Sequence, residues 1–138
     1  MTDEQGSILA IDPGREKCGL AVVTPSGQAL THEVTATAQV AERAAALITA
    51  HGVSLVLVGA GTACAQVRAM LIVLNGVPVQ EVSETGTTLE ARALYYRDNP
   101  PKGWQRLLPA GMRVPPCPVD GYAAEAIARR HLGLRAPG

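Results

Sequence analysis

The sequence predicts an α/β fold, a mixed sheet with helices on its faces. Three observations carry that expectation. Branched apolar runs at hairpin spacing open the chain, single strands then alternate with helical patterns, and 138 residues at 47% apolar content suit one core. The expected unit is therefore a single domain over residues 1–138. Charged residues make up only 17% of the chain, which excludes a disordered polyelectrolyte. With one Trp, three Tyr and no Phe, the core has to be built from Val, Leu, Ile and Ala.

SILAID and CGLAVVT are separated by a short turn of Gly and charged residues and read as a hairpin; SGQ turns the chain into a third strand, QALTHEV. Residues 38–51 place Val40, Ala44, Leu47 and Ile48 at helical spacing, with Gly52 where a C-cap falls. SLVLVG is the short continuous apolar run of a parallel strand buried on both faces. ACAQVRAMLIVLNG follows as a helix ending at Asn75 and Gly76, and VPVQEVSE as the last strand. Thr87 and Glu90 form the T-x-x-E pattern of a capping box, which starts a helix near Thr88 that stops before Pro100.

Residues 99–119 hold six of the ten prolines and little periodicity, the mark of a functional or mobile loop. VDGYAAEAIARRHLG closes the pattern as an amphipathic helix with Ala123, Ala124, Ile127 and Ala128 facing inward. Cys18, Cys64 and Cys117 are odd in number, widely spaced and free of any C-x-x-C, so neither a disulfide framework nor a zinc site is implied and a reducing cytoplasm is expected. The opening MTDEQGS is not that of a signal peptide, and no apolar run approaches the ~20 residues that cross a bilayer.

The formal net charge is zero, but it is unevenly spread. Residues 92–138 carry eight basic and three acidic side chains, a balance of +5, whereas residues 1–91 carry four and nine, a balance of −5. A segregated basic half either binds a polyanion or forms a solvated face. Arg92, Arg97, Lys102, Arg106, Arg113, Arg129 and Arg130 are its phosphate-contact candidates, and Trp104 is placed either to stack on a base or to anchor its loop.

Asp12, Glu84 and Asp120 each stand at the end of a regular element beside small or turn-forming residues. Singly, Asp12 opens an Asp-Pro-Gly turn, Asp120 is a good helix N-cap and Glu84 is a loop residue. Together, with no basic residue expected between them, they repel unless a cation lies among them. Carboxylates suit Mg²⁺ or Mn²⁺, and two such ions about 4 Å apart can clamp a phosphodiester, one activating water and the other stabilising the leaving oxygen.

LAIDPGREKCGLAVV, residues 9–23, resembles the first motif of the YqgF/RuvX family, a ribonuclease H-like group described as Holliday junction resolvases and as nucleases that mature precursor ribosomal RNA. SETGTT at 83–88 is similar to the family's second motif and VDGYAAEAIA at 119–128 to its third, in the same order along the chain. The resemblance implies a ribonuclease H-like five-stranded sheet of order 3-2-1-4-5 and a metal-binding triad of Asp12, Glu84 and Asp120. Lys17 matches a basic position of the first motif. Ser83 and Thr85 stand where the family has Asp and Arg, and Gly59-Ala60-Gly61 where it has Gly-x-Pro. Relatives carry a fourth carboxylate one turn into the last helix; Ala123 and Ala124 occupy that turn here, and Glu125 falls on another face.

The resulting expectation is a cytoplasmic Mg²⁺- or Mn²⁺-dependent endonuclease with Asp12, Glu84 and Asp120 as its metal ligands. Lys17, Arg92, Arg97, Lys102, Arg106 and Arg113 are the expected contacts to nucleic acid, whether a DNA junction, single-stranded DNA or precursor ribosomal RNA. The rival from another class is a non-catalytic nucleic-acid-binding ribosome maturation factor; an ATPase on the same fold is more distant, because such proteins need paired domains. Tyr95 and Tyr96 lie 100° apart on their helix and cannot both point inward. That leaves one for a partner or a base, and a monomer or loose homodimer is expected.

Overall fold

The computed structural model describes residues 6–61, 63–71, 76–83, 87–100, 103, 107 and 120–134. Its strands are β1 (Ser7–Asp12), β2 (Lys17–Val23), β3 (Ala29–Ala36), β4 (Val53–Gly59) and β5 (Val79–Val82); its helices are α1 (Val40–His51), α2 (Cys64–Leu71), α3 (Thr87–Asp98) and α4 (Asp120–His131), with a 3₁₀ turn over Thr37–Gln39. The sheet order is β3-β2-β1-β4-β5. The first three strands pair antiparallel, and β1, β4 and β5 run parallel. This is the mixed sheet and strand order expected.

Alternation along the strands divides the core in two. Leu9 and Ile11 of β1, with Cys18, Leu20 and Val22 of β2, pack with Val40, Ala44 and Leu47 of α1 and Val67 and Leu71 of α2. Ile8 and Ala10, with Ala21 and Val23, point the other way and pack on Ala124, Ile127 and Ala128 of α4. Helices therefore cover both faces, and α3 lies against α4. The two apolar layers exclude water from the sheet's centre; each fully buried Leu, Ile or Val in them contributes about 1.5–3 kcal/mol. Gly52 adopts the left-handed conformation of a C-cap and donates its N–H to Ile48 O, as its position predicted.

β3 runs two residues past the expected run, to Ala36, and α3 begins at Thr87, next to the expected Thr88. Beyond Leu71 the expected course of α2 lies outside the described residues, as does nearly all of the Pro-rich segment with Trp104. On α4 the inward set is Gly121 and Ala124 to Ala128, whereas Ala123 is only half-buried. Among the described residues no helix is long and apolar enough to cross a membrane.

The seating of α4 depends on two glycines. A Cβ built on Gly19 would collide with the backbone of Asp120, and one on Gly121 would press on His32 and the Glu33 amide. Helix and sheet thus touch backbone to backbone at the first turn of α4. Gly19→Ala should therefore displace the helix or strain the sheet, lowering stability by about 1–3 kcal/mol. Chemical denaturation measures this as a lower midpoint with little change in slope.

Candidate active site

Asp12 is the last residue of β1, and on the neighbouring strand it pairs with Gly19. Residues directly opposite on antiparallel strands project from the same face, so Asp12 lies on the α4 side, in line with Ile8 and Ala10. Gly19 in turn meets the Asp120 backbone. Register and the missing side chain together bring Asp12 and Asp120 to one place. Both line an open cleft of about 430 Å³, with Pro13, Gly14, Arg15, Glu16 and Lys17 of the β1–β2 turn as its other wall.

The cleft opens at the carboxyl ends of the parallel strands. Ile11 is level with Val58, and Gly59 with Val82, so β5 ends at this same edge two residues before Glu84. Glu84 itself, with Lys102, Arg106 and Arg113, lies outside the described residues. Among the described residues no group of three or more His, Cys, Asp or Glu is placed to hold a metal ion. Asp12 and Asp120 supply oxygen donors only, the kind that Mg²⁺ and Mn²⁺ take.

One premise needs correction. The acids were expected to meet with no base between them, yet Lys17 Nζ lies 3.5 Å from Asp120 Oδ2. Strand β2 starts at Lys17, which places the ammonium at the mouth of the cleft. The pair is partly exposed, and surface pairs of this kind contribute little stability, about 0–1 kcal/mol. Its importance is electrostatic: it puts a cation beside the carboxylate of α4.

Glu125 falls on another face of α4 from Asp120, as its spacing implied, and sequence reasoning missed what that face meets. The Glu125 side chain is fully buried. Its Oε1 lies 2.6 Å from His32 Nε2 on β3, and Arg97 of α3 donates to both carboxylate oxygens, at 2.8 and 3.1 Å. Arg97, expected among the phosphate contacts, also donates to both oxygens of Asp98, at 2.8 and 3.0 Å. Tyr122 donates to Asp98 at 3.2 Å and stacks on the His32 ring, 4.2 Å between centroids.

Tyr95 packs edge-on against Tyr122 and Tyr96, and both Tyr95 and Tyr96 are half-buried, so neither faces fully inward. A second charge contact ties the same helices, with Arg130 Nε 2.7 Å from Glu90 Oε1 but off the line of a directed hydrogen bond. Arg92 is half-buried on α3. The clue to Glu125 was present: a charge inside AAEAIA needs a partner for the same reason that Asp12 does.

Burial alone would push the Glu125 carboxyl up, but hydrogen bonds from His32 and Arg97 outweigh it and leave it below its ordinary 4.5. The Arg97 hydrogen bond holds Asp98 below its ordinary 3.8 despite partial burial. Arg97 is raised, first by Asp98 and then by Glu125. Burial, then the charge of Asp98, raises the Tyr122 phenol.

The sequence matches no family model and no curated protein. Among solved structures, the chain is similar to T. thermophilus RuvC in complex with Holliday junction substrate, with 20% identity and a TM-score of 0.59 over 96% of this chain and 99% of that one. A second Thermus thermophilus RuvC structure gives 21% identity and a TM-score of 0.58 over the same shares. The fold is ribonuclease H-like. At this identity the likeness speaks for the fold alone.

The depressed carboxylates set an acid limit on stability. Groups held lower in the folded state bind fewer protons there than when unfolded, so their contribution is complete above their ordinary values and is lost as pH falls through the folded ones. Stability should decline below about pH 5 in the wild type, and the decline should be shallower in Glu125→Gln. At neutral pH Glu125→Ala should lose about 1–3 kcal/mol, since it empties a buried site and removes the acceptor shared by Arg97 and His32, while Arg97 keeps Asp98. Urea midpoints at pH 7 and pH 4 measure both effects.

Proposed function

We propose that this chain is a metal-dependent nuclease of the YqgF/RuvX kind, hydrolysing phosphodiester bonds in structured or single-stranded nucleic acid. The observation that carries the reading is the convergence of Asp12 and Asp120 on one open cleft at the carboxyl edge of the parallel strands. The ribonuclease H-like fold supports it, and so does the Holliday junction bound by the similar RuvC.

In this reading Asp12, Asp120 and Glu84 hold Mg²⁺ or Mn²⁺. Such an ion neutralises phosphate charge and makes water a stronger nucleophile at neutral pH. Asp12 on the sheet and Asp120 on the helix would supply the carboxylate oxygens that hold it. Lys17 sits beside Asp120 and presents a compact point charge to a phosphate oxygen. Arg92, Lys102, Arg106 and Arg113 extend the phosphate contacts. Arg97 acts from behind, fixing α3 to α4 through Glu125.

Cys18 and Cys64 are buried in the apolar core, and their wide spacing without a C-x-x-C fits a reducing cytoplasm. The large apolar side chains exposed among the described residues, Leu30, Val34 and Leu107, are few, which supports a monomer or loose homodimer.

Two observations favour the non-catalytic reading, binding of nucleic acid during ribosome maturation. Lys17 already neutralises Asp120, and Ala123 and Ala124 stand where relatives have a fourth acid. Purified protein assayed against junction DNA and precursor ribosomal RNA, with Mn²⁺ and with chelator, separates the two. Cleavage that requires the ion supports the nuclease; binding without cleavage supports the alternative.

Asp12→Asn keeps the side-chain shape and removes a ligand charge. It should abolish cleavage while the melting temperature stays within a few degrees of wild type. Cleavage at the wild-type rate would exclude Asp12 from the chemistry.

If the basic half touches phosphates, log affinity for duplex should fall linearly with log salt, at about −0.9 per contact. Replacing Arg106 and Arg113 together should make that slope shallower by about 2. Affinity unchanged between ~50 and ~200 mM salt would reject an electrostatic interface.

A further inference from the structure

The turn over residues 13–16 carries one wall of the cleft, and it is tied down from behind by a single residue. Thr37, at the start of the 3₁₀ turn after β3, is 2% exposed. Its N–H donates to Glu16 O at 2.9 Å, which extends the β2–β3 ladder one step past the Lys17–Ala36 pair. Its hydroxyl donates to Gly14 O at 2.8 Å. One side chain and its own amide therefore grip the turn at both ends, between Asp12 and Lys17.

A third contact completes the arrangement. Cys18 Sγ lies 3.4 Å from Thr37 Oγ1. A hydroxyl has one proton, and that of Thr37 is committed to the Gly14 carbonyl, which can only accept. The Cys18 thiol is then the donor. The chain of donation runs from Cys18 to Thr37 to Gly14, from the core to the turn. Cys18 is fully buried, so the relay is anchored in the packed layer under α1.

We infer that Thr37 is a positioning residue for the cleft. It acts on the backbone from which Asp12 and Lys17 project, and so sets where the carboxylate and the ammonium stand relative to Asp120. This role rests on the nuclease reading above. A turn free to move on its hinge would misplace these groups by about an ångström, and displacements of that size cost up to about 10²-fold in rate.

Thr37→Ser and Thr37→Ala isolate the hydroxyl. Both remove the methyl, and only alanine removes the donor, so their difference reports the clamp and not the packing. The backbone order parameters of residues 14–17 should stay near ~0.85 in wild type and the serine variant and fall toward ~0.6 in the alanine variant. Titration with Mn²⁺ alone should show wild-type affinity for serine and about tenfold weaker binding for alanine, the loss of roughly one hydrogen bond in a buried setting. Cleavage should follow, with kcat reduced in the alanine variant and restored in the serine one.

Serine and alanine variants that match each other in turn order and in Mn²⁺ affinity would overturn the inference. If wild-type protein neither binds Mn²⁺ nor cleaves, the nuclease reading falls instead. The order parameters then still decide the clamp: a serine–alanine difference keeps it and equality removes it.

Discussion

The close approach of helix α4 to strands β1 and β2 is the constraint on which the cleft depends. Gly19 and Gly121 leave no side chain between the two backbones, and Ala10, Ala21, Ala124 and Ala128 keep the rest of that interface shallow. Because Asp12 pairs with Gly19, and Gly19 meets Asp120, the two acids are joined by backbone contacts rather than by long flexible side chains. Rigid elements hold a constellation of charges better than loops do. The small residues thus serve the chemistry as much as the packing, and a larger side chain at Gly19 would separate the acids before it exposed any core.

Glycine contact fixes how near α4 comes, but not how it is rotated. That falls to the buried network. Glu125 accepts hydrogen bonds from Arg97 on α3 and pairs with His32 on β3, while Tyr122 stacks on His32 and reaches Asp98. A well-packed apolar cluster of the same volume would often be as stable or more so. Apolar surfaces, however, tolerate several helix rotations, whereas a bidentate guanidinium–carboxylate pair has one geometry. A rotation of one residue would carry Asp120 100° around the helix and out of the cleft. The network is therefore a device for register.

Periodicity revealed the elements that repeat along the chain. The hairpin opening, the apolar run of β4, the Gly52 cap and the Thr87 start of α3 were all readable, because each is dictated by neighbours in sequence. The positions of Asp12 and Asp120 at element ends were readable for the same reason. The pairings were not. Lys17 with Asp120, His32 with Glu125 and Thr37 with Gly14 are separated by 103, 93 and 23 residues, and nothing local marks one partner for the other. Glu125 was left out of the inward set because that face was inferred from apolar spacing, which does not count a glutamate. Arg97 was grouped with the basic half from composition alone, which does not show that its guanidinium is already engaged by Glu125 and Asp98. Polar residues that earn burial through a distant partner are invisible to a pattern that only scores hydrophobicity.

The charges around the cleft bear on how a nucleic acid would enter it. Its lining contains Asp12, Glu16 and Asp120 against Arg15 and Lys17, three formal negative charges to two positive. A phosphodiester brought to that lining adds a further negative charge, and in a partly desolvated site the repulsion is stronger than in bulk water. Lys17 cannot resolve this alone, since its ammonium already faces Asp120. In the nuclease reading, a divalent cation joining the carboxylates would change the sum over this described lining from −1 to +1. On this arithmetic, a metal held by the carboxylates would offset the charge that otherwise excludes a phosphate, so that metal and substrate would reinforce each other. The same sum explains why a turn held rigidly by Thr37 matters, because Asp12 and Lys17 stand at its two ends with opposite signs. Moving that turn would change the distance of both charges from Asp120 at once, which ties the Thr37 contacts to the electrostatic balance that the proposed chemistry needs.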